Sequence, residues 1–144
     1  MFIYLDTCCL NRPYDEQSQP RIQLEASAVL AILQRITAGE FHIANSSVLQ
    51  FEVTRIPDPT RRNSILHFLN YSNTFQTLTP EIEHRGIELN SLGFKRLDAL
   101  HLAVAEVMKT DVLLTTDDQF LRRATEHSAS ISVPVLNPVQ FSTT

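Results

Sequence analysis

The sequence predicts an α/β sandwich built on a mainly parallel central sheet, and three observations support this. Short apolar runs recur along the chain, in FIYL, FHIAN, DVLLT and VPVLNPVQF. Longer stretches with helical spacing separate them, as the crossovers between parallel strands require. Proline opens and glycine closes two of these stretches, at Pro20 and Gly39 and at Pro80 and Gly93, which is the usual punctuation of helices.

Phe2 to Leu5 reads as the first strand and runs straight into Asp6. The polar segment NRPYDEQSQPR follows and is assigned no element. A helix is predicted from Pro20 to Gly39, with Leu24, Ala28, Ala31 and Ile32 on its apolar line. FHIAN is the second strand. SSVLQFEVTRI is a helix with Ser46 or Ser47 as its N-cap and Pro57 as its stop. Residues 60–70 are helical, and TFQTLT is an extended connector. PEIEHRGIELNSLG and RLDALHLAVAEVMK are the next two helices, the second being the most periodic. DVLLT is a strand, DDQFLRRATEH a helix, and VPVLNPVQF a final short strand.

A chain of 144 residues is long enough to bury a core, and one domain over residues 1–144 is expected. Its three glycines leave no room for a glycine-rich phosphate cradle. Ser46 and Ser47 lie in no G-x-S-x-G elbow, and Cys8 interrupts any D-x-D-x-T phosphatase loop after Asp6. Met1 to Leu5 is too short for a signal-peptide core, and no apolar run approaches the roughly 18 residues of a membrane span. A cytoplasmic location is the expectation. Cys8 and Cys9 are neighbours, too close for an ordinary disulfide, and read as small buried hydrophobes. The formal charge of −4, from 16 acids and 12 bases, excludes binding of nucleic acid by bulk positive charge.

Four acids have a reason to meet. Asp6 follows the first strand, and Asp117 follows the strand in DVLLTTDDQF. If those strands are parallel, both acids lie at the same end of the sheet. Asp98 sits in the first turn of its helix, where the macrodipole favours an anion. Glu52 shares a helical line with Val48 and Ile56, so it is turned partly towards the core. Carboxylates held together repel one another unless a divalent cation or protons join them. Oxygen ligands suit Mg²⁺ or Mn²⁺. Without these four acids, 12 acids balance 12 bases, so the negative excess can reside wholly in such a site.

These residues resemble the PIN-domain family, and more narrowly the VapC-type ribonuclease toxins of bacterial type II toxin–antitoxin systems. FIYLDTCCL resembles the family's first strand with its Asp and following Ser or Thr. Glu52 stands where the family has an acid on an early helix. RLDALHLAVA resembles its D-x-x-h-x-A-x-A helix, and LLTTDDQF its T-x-D-x-x-F segment, which selects Asp117 over Asp118 as the fourth acid. NRPYDEQSQPR departs from the many relatives that pass quickly into the next helix.

The resemblance implies a three-layer α/β/α, PIN-like fold and a metal-dependent endoribonuclease leaving a 5′-phosphate and a 3′-hydroxyl. Asp6, Glu52, Asp98 and Asp117 are the catalytic candidates. Asp6, Asp98 and Asp117 hold Mg²⁺ or Mn²⁺ in that reading, and Glu52 orients or deprotonates the attacking water. Thr7 and Thr115 are candidate supporting groups, as are Asp118 and His101, which lies three places after Asp98. Arg12, Arg55, Lys95 and Arg96 are candidate RNA contacts; Arg61 and Arg62 face either RNA or a partner's acids. The implied partners are an RNA substrate, a small antitoxin protein and a second copy in a homodimer, with no membrane. The alternatives are a catalytically silent PIN-like module that binds RNA or protein, or a PIN nuclease acting in RNA processing or on DNA.

Overall fold

The computed structural model describes residues 1–142. Strand β1 (Phe2–Leu5) leads into α1 (Thr7–Asn11), a 3₁₀ turn at Arg12–Tyr14 and α2 (Pro20–Thr37). Then come β2 (His42–Ile43), α3 (Ser47–Val53), α4 (Pro59–Leu69), α5 (Pro80–Ser91) and α6 (Arg96–Met108). Strand β3 (Val112–Leu114), α7 (Asp118–Glu126), a second 3₁₀ turn at Ser128–Ser130, β4 (Val135–Leu136) and α8 (Pro138–Ser142) complete the order.

The sheet runs β2-β1-β3-β4, and all its pairings are parallel. Ile3, Tyr4 and Leu5 pair with Val112, Leu113 and Leu114, and these residues are almost fully buried. Near-continuous apolar strands are expected where helices cover both faces. The crossover from β1 to β2 travels one way along the sheet, and the crossover from β2 to β3 travels the other. Right-handed connections therefore put α2 on one face and α3 to α6 on the opposite face. Accordingly α2 packs on α8, and α5 packs on α6. Gly86 lets α5 and α6 approach closely, since a Cβ there would stand 2.9 Å from Leu100 Cδ2. Among the described residues, no helix is long and apolar enough to cross a membrane.

The architecture is the expected α/β/α arrangement, with local differences. Of the expected apolar line of α2, Ala28 and Ile32 are buried, but Leu24 is 61% exposed and Ala31 is also exposed; Ala26, Val29 and Ile36, with Glu25, complete the buried face. Periodicity identified the helix and half of its buried face, and missed the rest because an ion-paired glutamate occupies a position that hydropathy assigns to solvent. VPVLNPVQF is a strand only at Val135–Leu136. Asn137 Oδ1 then accepts a hydrogen bond from Val139 N–H at 2.8 Å, and Pro138 opens α8, a favoured use of proline. NRPYDEQSQPR is not wholly irregular: Asn11 ends α1, Arg12–Tyr14 forms a 3₁₀ turn that Arg12 ties to Asp15 and Glu25, and only residues 15–19 lie outside any helix before α2 begins at Pro20.

Candidate functional site

The order β2-β1-β3-β4 reverses direction between β1 and β3, and a crevice opens there beyond the carboxyl ends of the strands. Asp6 directly follows β1, Asp117 stands three residues beyond the end of β3, and each caps a helix. Asp6 accepts a hydrogen bond from Cys8 N–H at the start of α1. Asp117 Oδ1 accepts from Gln119 and Phe120 N–H at 2.9 and 3.2 Å at the start of α7. The sharp turn from strand to helix thus fixes both carboxyls at the sheet's rim.

Helix α6 supplies the facing layer. Tyr4 and Asp6 share one face of β1, because side chains alternate along a strand, and Asp98 and His101 share one face of α6. His101 Nδ1 lies 2.5 Å from the Tyr4 hydroxyl, while Asp98 interacts electrostatically with Asp6. The start of α6 therefore lies over the end of β1. Helix α3 brings Glu52, whose Oε1 accepts from Thr7 Oγ1 at 2.9 Å and is hydrogen-bonded to His101 Nε2. Asp6, Glu52 and His101 offer ligand atoms within 4.8 Å of one another.

The electrostatics differ sharply among these acids. Burial, then the charges of Asp6 and Asp117, push the Asp98 carboxyl up to about 7. Burial also pushes Glu52 upward, yet the hydrogen bond and charge of His101, with the bond from Thr7, outweigh it and leave Glu52 below its ordinary value. Burial disfavours the imidazolium of His101, but the bond to Glu52 and the surrounding acids carry it above its ordinary value. Among the described residues, no lysine or arginine forms an ion pair with Asp6, Asp98 or Asp117. Both nitrogens of His101 are engaged by Tyr4 and Glu52, so the donors left to face a cation are carboxylate oxygens. That set fits a hard divalent ion such as Mg²⁺ or Mn²⁺.

The remaining candidates fall into two groups. Thr115 is buried; its Oγ1 accepts from Asp117 N–H at 3.1 Å and lies 3.2 Å from Cys8 Sγ, so it braces the Asp117 turn. Arg55, Lys95 and Arg96 are exposed, Arg55 lying over the Phe51 ring at 4.1 Å. Arg12 is engaged by Asp15 and Glu25, Arg61 by Asp15, and Arg62 by the Ile56 carbonyl. Asp118 is fully exposed and forms two 2.8 Å hydrogen bonds with Arg21. Sequence reasoning missed Tyr4, Arg21 and Glu25, and it placed Ser46 as an N-cap, which it is, without its contact to Tyr4. Tyr4 did carry a signal: a hydroxyl inside an apolar strand, two places before Asp6, needs a buried partner.

A family model described as the PIN domain matches residues 3–126. No curated protein matches the chain. Among solved structures, it is similar to a chain in the crystal structure of VapBC2 from Rickettsia felis bound to a DNA fragment from their promoter. The TM-score is 0.59, with 18% identity over 95% of this chain and 98% of that one. At that identity the likeness is one of fold.

Proposed function

Because the chain belongs to the PIN-domain family, we propose that it is a metal-dependent endoribonuclease, the toxin half of a toxin–antitoxin pair. The observation that carries this reading is the convergence of acids at one end of the sheet: Asp6 and Glu52 offer oxygens within 4.8 Å of one another, and the charges of Asp6 and Asp117 reach Asp98 and help to raise its carboxyl. A surface that only bound RNA gains nothing from gathering negative charge.

Asp6, Asp98 and Asp117 would hold Mg²⁺ or Mn²⁺, with the ion supplying polarisation of the scissile phosphoryl oxygen and acidification of a bound water. Glu52 is the group that orients the attacking water and takes its proton. Its pKa is held low, so it is ionised and ready to accept a hydrogen bond at neutral pH. Thr7 and His101 both contact Oε1, which leaves Oε2 for the water. Asp6 and Asp117 are fixed by their capping bonds and move little when charge develops on the phosphate. Arg55, Lys95 and Arg96 meet RNA phosphates. Cleavage leaves a 5′-phosphate and a 3′-hydroxyl.

The fold likeness to a VapBC2 structure supports a protein partner. An apolar groove of about 530 Å³ supports it further, lined by Val48, Phe51, Leu78, Leu97 and Leu100. Phe51 and Leu97 are the chain neighbours of Glu52 and Asp98, so a segment of a small antitoxin lying there would cover the acids. The chain is proposed to work as one domain in a homodimer.

The test is Mn²⁺-dependent cleavage of structured RNAs by the purified protein, with Asp6→Asn and Asp98→Asn as controls. Cleavage that both changes abolish is expected. Cleavage that survives them, or no cleavage together with no Mn²⁺ binding by calorimetry, overturns the reading and favours a silent binding module. Copurification with the product of an adjacent short reading frame tests the antitoxin.

A further inference from the structure

Ser46, Tyr4 and His101 form a polar line through an apolar core, with exposures of 0%, 0% and 1%. Leu49 N–H donates to Ser46 Oγ at 3.1 Å. Ser46 Oγ lies 3.2 Å from the Tyr4 hydroxyl, which lies 2.5 Å from His101 Nδ1. His101 Nε2 then bonds Glu52 Oε1, which also accepts from Thr7 Oγ1 at 2.9 Å. The line begins and ends on one helix: Ser46 is the N-cap of α3, and Glu52 lies six residues further on. It passes through β1 and α6, the elements that carry Asp6 and Asp98.

Such a line is costly to bury and is tolerated because each member is hydrogen-bonded. Folding alone does not need it, since Ser46 caps α3 through Leu49 whether or not position 4 carries a hydroxyl. Glu52, which can only accept, already requires a proton on Nε2, and the Tyr4 hydroxyl, which can donate or accept, gives the buried Nδ1 its partner in either charge state. In the neutral ring the imidazole proton is on Nε2 and Tyr4 O–H donates to Nδ1. In the charged ring, both nitrogens carry protons and Tyr4 O–H turns to Ser46. In either state an N–H is aimed at the Glu52 carboxylate. Without the hydroxyl, Nδ1 is left without this buried partner and the ring loses one of the two bonds that hold it against Glu52.

We propose that Ser46 and Tyr4, acting through His101, are positioning residues that fix Glu52 by its Oε1 and leave Oε2 for the attacking water. The catalytic purpose rests on the nuclease reading above; the hydrogen-bonded hold on His101 does not.

The test is Tyr4→Phe, which keeps the ring in the core and removes one oxygen. Long-range ¹H–¹⁵N spectra of the metal-free protein are expected to show the His101 ring nitrogens shifting between wild type and variant. In Mn²⁺-dependent RNA cleavage, kcat is expected to fall about tenfold with KM unchanged, an effect of about 1.4 kcal/mol. In a Glu52→Gln background, Tyr4→Phe is expected to have no further effect, because the two residues act in one line. Unshifted ring nitrogens overturn the hold on His101, whatever the wild type cuts. Shifted nitrogens with unchanged kcat, or a tenfold loss that persists in full beside Glu52→Gln, overturn the positioning of Glu52. A wild-type protein that cuts no RNA and binds no Mn²⁺ overturns the nuclease reading and the catalytic purpose with it, while the spectra still decide the hold.

Discussion

Two sets of carboxylates lie beside the same strand ends and are treated in opposite ways. Glu25, on α2, is 2% exposed, more deeply buried than Asp98. It is answered by Arg12 at 3.0 Å, by Arg21 at 3.2 Å and by Asn137 Nδ2 at 2.6 Å. Asp118 is the next residue after Asp117, yet it takes Arg21 in two bonds while Asp117 takes only backbone N–H groups of its own helix. Asp98 instead feels the charges of Asp6 and Asp117, and with its burial these raise its carboxyl to about 7. The molecule therefore has guanidinium groups near this rim and spends them on the acids flanking the crevice. Burial alone does not separate the sets; partners do. An acid cluster beside arginines that bypass it is what a cation site requires.

The sharpest way to break this comparison is to neutralise a member of each set. Asp98→Asn is expected to lower Mn²⁺-dependent RNA cleavage on the order of 10³-fold while raising thermal stability of the metal-free protein at pH 8. Removing a repelling charge stabilises, and a melting curve beside the cleavage assay reads both effects. Glu25→Ala is expected to do the reverse. It leaves Arg12 short of a buried partner and should destabilise the fold by about 3 kcal/mol, the lower end for a broken buried pair because Arg21 can rehydrate. The midpoint should fall by roughly 10 °C, with cleavage by the folded fraction largely kept. A Glu25 variant that melts normally but has lost cleavage would place Glu25 in the site.

The two sets were unequally legible in the sequence. Asp6 and Asp117 each follow a run of apolar strand residues, so parallel pairing alone put them at one end of the sheet. Asp98 lay in a strongly periodic helix, where an acid among Leu97, Leu100 and Val104 was visible. Glu25 was invisible for the same reason, since hydropathy reads a glutamate as solvent-facing and so favoured Leu24 and Ala31 for the buried line. Its partners stand 13 residues before it and 112 after it, at Arg12 and Asn137, and no local pattern links them. The line through Tyr4 and His101 was half legible. His101 was placed near Asp98 by spacing, but its bond to Glu52 needed the packing of α3 against α6, which periodicity does not supply.

A smaller effect sharpens the contrast through pH and metal. Asp98 has a folded pKa of about 7 against 3.8 in the unfolded chain. The folded state therefore holds its proton more tightly, and the stability this proton confers is complete below pH 3.8. It is lost progressively as pH rises towards 7 and contributes no further slope above that. Chemical denaturation of metal-free protein at pH 5, 6, 7 and 8 should show this decline, and in Asp98→Asn the decline should shrink, leaving the part at the upper end of the range that comes from the raised His101. Adding Mn²⁺ at 100 times its dissociation constant should restore about 2.7 kcal/mol at pH 8. A metal-independent curve would remove the reason for leaving these acids unpaired.

The smallest effect is expected at Asp118, and it tests where the boundary between the two sets runs. Asp118 follows Asp117 directly and is fully exposed, with Arg21 holding its carboxyl below the usual range. Substituting Asn removes a solvated ion pair of a kind that contributes little. Arg21 keeps its 3.0 Å bond to the Thr116 carbonyl and its pairing with Glu25, so the turn carrying Asp117 remains anchored. Asp118→Asn should leave the thermal midpoint within about 2 °C and cleavage within about twofold of wild type. A loss approaching that of Asp98→Asn would mean that Arg21 masks a fifth acid of the crevice, releasing it when RNA or metal arrives. Arg21→Gln would then raise metal affinity, whereas on the present division it leaves affinity unchanged.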